Sequence, residues 1–143
     1  MIKGRIELFI IGERSELVFP KNLELKFIKL MPHQELKGFL LDKHFIVKSI
    51  VFDTFSIFVA ECMLAGVIPI INEKTGIKNF IRHKMNGFIY SSESPNELKE
   101  LLNEIFESRY NLNQISANAK DINEQLSWKK ISRKYLSTYE SVL

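Results

Sequence analysis

The chain has neither a G-x-G-x-x-G sequence nor a Walker A sequence, so the usual dinucleotide and ATP readings lose their support. It has a single cysteine, Cys62, which excludes an internal disulfide and fits a reducing compartment. No histidine is near Cys62 in sequence and its neighbours are apolar, so a catalytic thiol is not expected. His33, His44 and His83 are not at metal-ligand spacing, and no metal site is expected. The net charge is only +3, with basic residues spread out apart from a late cluster at Lys129, Lys130, Arg133 and Lys134. That balance gives no support to a nucleic-acid partner. No secretory signal is expected, because the apolar run after Lys3 and Arg5 is short and interrupted by Glu7.

What is present is ordinary for a globular protein: 45% hydrophobic and 26% charged residues over 143 positions. That length fits one domain over residues 1–143. The most informative residue is Glu61, the only charged side chain between Thr54 and Asn72. A carboxylate in such a stretch must be desolvated, paired or used on a ligand, because burying it unpaired is costly. A membrane span of roughly 20 apolar residues is not expected here. Glu61 interrupts the stretch, and Gly66 and Pro69 break a helix two-thirds of the way along.

Ile6 to Ile11 reads as a buried strand ending at Gly12, and Glu13 to Asn22 as a polar loop. Leu23 to Leu30 alternates as a half-buried strand. Pro32 opens a helix whose apolar face is Leu36, Phe39 and Leu40. Phe45 to Phe52 reads as a strand. Phe55 to Ala65 reads as a helix apolar nearly all round, hence buried, with Gly66 as its stop. Val67 to Asn72 has the pattern of a parallel strand covered on both faces. A short helix is expected over Gly76 to Ile81, a turn at Asn86-Gly87, and a strand from Phe88 to Tyr90. Helices follow from Ser94-Pro95 to Glu107, from Leu112 to Gln125, and from Trp128 to Leu143. Trp128 is expected to anchor the last helix in the core. Strands alternating with helices make this an α/β domain, a Rossmann-like parallel sheet flanked by helices. In such sheets ligands bind beyond the carboxyl ends of the strands, where the turn from Phe52 to Ser56 lies.

The first N–H groups of a helix lack intrahelical partners and carry partial positive charge. A diphosphate is a natural ligand at the start of the Phe55 helix. Thr54 or Ser56 supplies a hydroxyl to a phosphate or simply caps the helix. Glu61 lies nearly two turns in, and an ionised carboxylate accepts two hydrogen bonds at once, which suits a ribose diol. Asp53, before the helix, can accept from a sugar on the other side of the phosphates. Two carboxylates flanking a diphosphate match the two hydroxyl-rich ends of a nucleotide sugar. A hydrolytic acid/base pair stays open, because spacing alone does not give the carboxyl separation.

In order and spacing, five segments resemble the C-terminal, donor-binding domain of retaining GT-B glycosyltransferases of family 4. They are IELFIIGE, LMPHQELKGFL, DTFSIFVAECMLAGVIPII, TGIKNFIRHKMNGFIY and LSWKKISRKYLSTYE. Together they span nearly the whole chain. The third is similar to the family's E-x7-E element. The resemblance implies that Asp53 contacts the donor sugar and that Glu61 holds the ribose. It implies that Thr54, Phe55, Ser56 and Ile57 form the loop binding sugar and phosphates, and that Gly12 lines the nucleotide side. It implies a metal-independent, retaining transfer from a UDP- or GDP-linked sugar to a glycan or lipid, with no cofactor. Cell-surface polysaccharide synthesis, in the cytoplasm and at the inner face of the membrane, is the family's commonest setting, with at most peripheral membrane contact.

The sequence departs from the family pattern at four positions. Asp53 is a methylene shorter than the usual glutamate, and Ser56 replaces a glycine. Thr75 and Asn79 stand where a glycine and a glutamate are common. The family's arginine-lysine pair and the whole acceptor domain have no counterpart in these residues. The expectation is therefore a donor domain inactive by itself, either part of a longer enzyme or acting with a separate acceptor-domain chain. The alternatives are a non-catalytic nucleotide-sugar-binding module, a degenerate remnant, and a structural partner domain that binds no ligand.

Overall fold

The computed structural model of the chain describes residues 6–12, 23–49, 52–91, 94–107 and 109–142. The expected loop from Glu13 to Asn22 lies outside them, as do Ile50 and Val51 of the expected third strand. Internal contacts divide the chain, read from sequence as one domain, into two compact units, residues 1–39 and 40–143.

In the first unit, β1 (Ile6–Ile11) pairs in parallel with β2 (Leu23–Ile28), from Ile6 opposite Leu23 to Ile11 opposite Ile28. The pattern of β-branched and aromatic residues suits a pleated, half-buried surface. Gly12 ends β1 with φ +140°, a conformation L side chains rarely adopt, and its N–H donates to the Ile28 carbonyl at 3.0 Å. Helix α1 (His33–Leu40) follows Pro32, whose carbonyl accepts from the Glu35 and Leu36 amides. Phe39 of α1 packs edge-on to Phe9 of β1, with ring centroids 5.2 Å apart.

The second unit holds a parallel sheet in the order β3 (Phe45–Lys48), β4 (Ile68–Asn72), β5 (Phe88–Tyr90). Every residue of the central strand β4 is buried, as its continuous apolar run requires. Its alternating side chains feed two cores. Ile71 joins Val59, Met63, Ile77 and Ile122, whereas Ile68 and Ile70 join Phe88, Leu101, Ile105 and Ile115. Helix α2 (Ile57–Leu64) and α5 (Ile122–Leu126) supply the first core, together with the 3₁₀ helix Gly76–Phe80. Helix α3 (Pro95–Phe106) and α4 (Leu112–Ala119) supply the second. Helices on both faces of a parallel sheet are the α/β architecture the alternation pattern implies.

Helix α2 ends in a Schellman motif. The Val67 amide donates to the Cys62 carbonyl and the Gly66 amide to Met63, each at 2.9 Å, with Gly66 at φ +86°. Three expectations are corrected. First, α2 is not covered all round: Val59, Ala60, Cys62 and Met63 are buried, but Ile57 and Leu64 are exposed. They lie with Glu61 at i, i+4 and i+7, one open stripe. Second, the helix expected over 112–125 breaks at Lys120-Asp121. Ser116 Oγ ties α4 to the Gly66 carbonyl at 2.6 Å, and the chain turns to bury Ile122. Third, Trp128, which opens α6 (Trp128–Glu140), is 85% exposed and anchors no core. No residue of α6 is buried.

Phe88 is fully buried and packs edge-on against Tyr110, centroids 5.1 Å apart. Phe88→Ala is expected to destabilise the second unit by about 3–5 kcal/mol, read as a lowered urea midpoint.

Candidate functional site

The candidate site is the turn between β3 and α2. The Asp53 carbonyl accepts from the Gly76 amide at 2.8 Å, and Asp53 bridges Thr75 in parallel. This backbone seam needs a glycine, because a Cβ on Gly76 would sit 1.8 Å from the Thr54 carbonyl oxygen. Thr75 is itself held by Asn72 at the end of β4. Asn72 Oδ1 accepts from the Lys74 amide at 2.8 Å and from the Thr75 hydroxyl at 3.4 Å. Thr75 and Asn72 are both buried. The side chain that departs from the family glycine at position 75 thus has a structural use.

Asp53 is partly buried, and both of its oxygens are engaged. Oδ1 accepts from the Phe55 amide at 3.2 Å, an Asx-type turn, and Oδ2 faces Lys48 Nζ at 3.1 Å. Burial pulls the carboxyl up, but the Lys48 ammonium and the Phe55 amide outweigh it and hold Asp53 below its usual range. The nearby Ser56 hydroxyl acts in the same direction, although it makes no hydrogen bond of ordinary geometry. Lys48, at the end of β3, is fixed through its own carbonyl, which accepts from the Tyr90 hydroxyl at 3.1 Å.

Ser56 occupies the N-cap of α2 with φ +71° and ψ +75°, the left-handed region. Its side chain caps nothing. It is 7% exposed, and its Oγ is buried without a hydrogen-bond partner among the described residues. Of the two uses open to Ser56 in the sequence, capping is therefore excluded. Thr54 is exposed on the same turn, and Phe55 packs edge-on against Phe80 at 5.8 Å. Ile57 is 70% exposed on the first turn of α2.

Glu61 lies in the second turn of α2, half-buried, on the helix stripe shared with Ile57. The turn and α2 bring Asp53, Thr54, Phe55, Ser56, Ile57 and Glu61 into one continuous segment. Gly12 belongs to the other unit and is described only there. Cys62 is fully buried, and burial together with the neighbouring Glu61 charge pushes its thiol up to about 12. It stays protonated and acts as a small apolar side chain. No three His, Cys, Asp or Glu side chains gather to hold a metal among the described residues.

Lys48 is the residue that sequence reasoning missed, read there only as part of a strand. Its signal is a lone cation in an apolar strand, FIVKSIVF, five positions before Asp53.

Two outcomes follow from this geometry. Ser56→Gly removes a left-handed L-residue, which costs about 1–2 kcal/mol, and an unpaired buried hydroxyl. It is expected to raise the unfolding free energy by about 1 kcal/mol after the loss of backbone entropy, measured by chemical denaturation. Asp53 is held ionised in the folded state, so its contribution is present above the usual carboxylate range and is lost as pH falls through its lowered value. The stability gap between wild type and Asp53→Asn should therefore narrow on going from neutral pH to below about pH 4, seen as converging melting temperatures.

The sequence profile described as Glycosyl transferases group 1 matches residues 3–122. No curated protein sequence matches the chain. Among solved structures it is similar to sucrose-phosphate synthase from Thermosynechococcus elongatus, with a TM-score of 0.70 and 16% identity. That match covers 83% of this chain and 30% of the synthase. It is also similar to Anabaena HepE in complex with UDP, at TM-score 0.67 and 17% identity, covering 84% of this chain and 32% of HepE. A third is the C-terminal domain of the group 1 glycosyl transferase LpcC from Francisella tularensis, at TM-score 0.61 and 15% identity, covering 72% of this chain and 53% of that one. The chain thus spans about a third of the length of the first two, and its α/β fold, parallel strands flanked by helices, is that of GT-B Rossmann-like domains. With its profile match running from residue 3 to residue 122, the chain belongs to the glycosyl transferases group 1 family.

Proposed function

We propose that the chain is the donor-binding domain of a retaining glycosyltransferase, taking a UDP- or GDP-linked sugar at the turn from Asp53 to Ile57 and at Glu61. The observation that carries this reading is Ser56, a buried hydroxyl without a hydrogen-bond partner among the described residues, at the strained N-cap of α2. Native structures seldom leave such a group unpaired, and strain of this kind gathers at ligand sites. A diphosphate placed at this helix start would accept from the Ser56 hydroxyl and from first-turn N–H groups, with the helix dipole favouring its charge. Glu61, one turn further along the same side of α2, would accept from the two ribose hydroxyls. Asp53 has lone pairs left beyond its bonds to Phe55 and Lys48, and these would accept from the donor sugar. Anabaena HepE, of the same fold, was solved with UDP-glucose, which supports a nucleotide sugar as the ligand class.

Transfer needs a second substrate held against the donor sugar, and charge stabilisation on the leaving diphosphate. In this reading a glycan or lipid acceptor is held by a separate acceptor domain, and the work is cell-surface polysaccharide synthesis at the cytoplasmic face of a membrane. A second reading, a non-catalytic nucleotide-sugar-binding module, is favoured by one observation. The Asp53 carboxylate is tied to Lys48, and Ser56 puts a side chain where a glycine would leave room.

Millimolar UDP, GDP or their glucose conjugates are expected to raise the melting temperature, with a ligand at 100 times its Kd adding about 2.7 kcal/mol. Glu61→Ala, checked for folding by circular dichroism, should abolish the rise. A melting temperature unmoved by every nucleotide and nucleotide sugar would sink both readings. Binding without transfer, once an acceptor domain is supplied, would leave only the second.

A further inference from the structure

Lys48 closes β3, at the carboxyl edge where a parallel sheet takes ligands, yet the donor-site reading gives it no contact with a ligand. It is the one charged residue of that strand, after Phe45, Ile46 and Val47. Lysine is depleted in strands, and a half-buried charge is costly, so the position calls for a reason. Its backbone is firmly placed. The Lys48 carbonyl accepts from the hydroxyl of Tyr90, a buried residue of β5, at 3.1 Å.

From that anchor the side chain crosses to the turn before α2. Nζ lies 3.1 Å from Asp53 Oδ2, and the two side chains are 24% and 23% exposed, so each keeps an open face. An ammonium has three N–H donors, and Asp53 is the one ion-pair partner of Lys48 among the described residues. Asp53 Oδ1 is held by the Phe55 amide, which leaves lone pairs on both carboxylate oxygens. A donor and an acceptor thus stand side by side, with no net charge between them. A pair of this exposure adds little to stability, so folding alone does not account for it.

We propose that Lys48 is a specificity-determining residue at the sugar end of the site. With Asp53 it selects an uncharged sugar presenting two neighbouring free hydroxyls, one accepting from the ammonium and the other donating to the carboxylate. This inference rests on the donor-site reading above. The 3.1 Å between Nζ and Oδ2 is close to the separation of adjacent hydroxyl oxygens on a sugar ring, so a diol lies across the pair without parting it. Asp53 alone would offer only acceptors and a negative charge, which favours an amino sugar. Lys48 alone would draw an acidic one. Together they give neither charge an advantage, and a charged sugar loses its hydration here without gaining a counter-charge.

Calorimetry on the full chain compares UDP, UDP-glucose and UDP-glucuronate, or GDP, GDP-mannose and GDP-mannuronate where guanine is the base taken. The wild type should hold the hexose conjugate more tightly than the uronate. Lys48→Met leaves the carboxylate uncompensated and should turn the preference further against the uronate, on the order of tenfold. Asp53→Asn leaves the ammonium uncompensated and should move the preference toward the uronate by a similar factor. Lys48→Gln repeats the first arm if Lys48→Met does not fold by circular dichroism. Opposite shifts are the supporting result, because a merely structural role would weaken the free nucleotide and both conjugates together. Preferences that move in the same direction, or do not move, would overturn this inference and leave the donor-site reading standing. So would a wild type that prefers the uronate. A wild type that binds none of these nucleotides would overturn the donor-site reading itself, and this inference with it.

Discussion

Everything at the candidate site hangs on one backbone seam, where Gly76 passes under the Asp53–Thr54 peptide. The Gly76 amide donates to the Asp53 carbonyl, and the absence of a Cβ lets the two segments approach to a distance no other residue allows. The seam joins the turn before α2 to the end of β4, the most deeply buried strand. Asn72 extends the same tie by folding residues 74 and 75 back onto its own side chain. The start of α2 is therefore positioned by the sheet and not by its own cap. That frees Ser56 from capping and permits a left-handed N-cap that an isolated helix would not keep.

The electrostatics of the turn follow from the same tie. Asp53 faces a cation from the preceding strand and an amide from its own turn, so it is ionised and fixed in orientation. Lys48 in turn is anchored through its backbone to Tyr90, two strands away. A half-buried pair of this kind is weak evidence for stability, because desolvation offsets much of its attraction. It is better evidence for orientation. Glu61 sits half-buried on the open stripe of α2. The two carboxylates thus have different surroundings although the sequence presents them as equals.

Much of this was legible from the chain. β4 announced itself by a continuous β-branched run, Gly66 by its place after an apolar helix, and the β5 strand by the Asn-Gly turn before it. These are local signals, and local chemistry decides them. What failed depended on partners that sequence spacing does not reveal. Trp128 has the pattern of an anchor, but amphipathicity says only that a helix has an apolar side, not that anything covers it. The open stripe of α2 was hidden by composition, since Ile57 and Leu64 read as core until the packing of Val59 and Met63 fixed the rotation. Lys48 was passed over because its partner lies across a turn, and only the fold brings the two together.

The distribution of unfavourable features across the second unit is itself informative. A positive φ on an L-residue and a buried hydroxyl without a partner among the described residues coincide at Ser56, on the helix that carries the lone carboxylate Glu61, while Lys84 is the other left-handed L-residue. The sheet, its two cores and the end of α2 are regular by comparison: β4 is fully buried, and the Schellman motif is complete. The strain at Ser56 lies on a strand-to-helix turn at the carboxyl edge of a parallel sheet, the edge at which such sheets take ligands. The exposed stripe of α6 is a different kind of cost, borne at the surface and far along the chain from that turn.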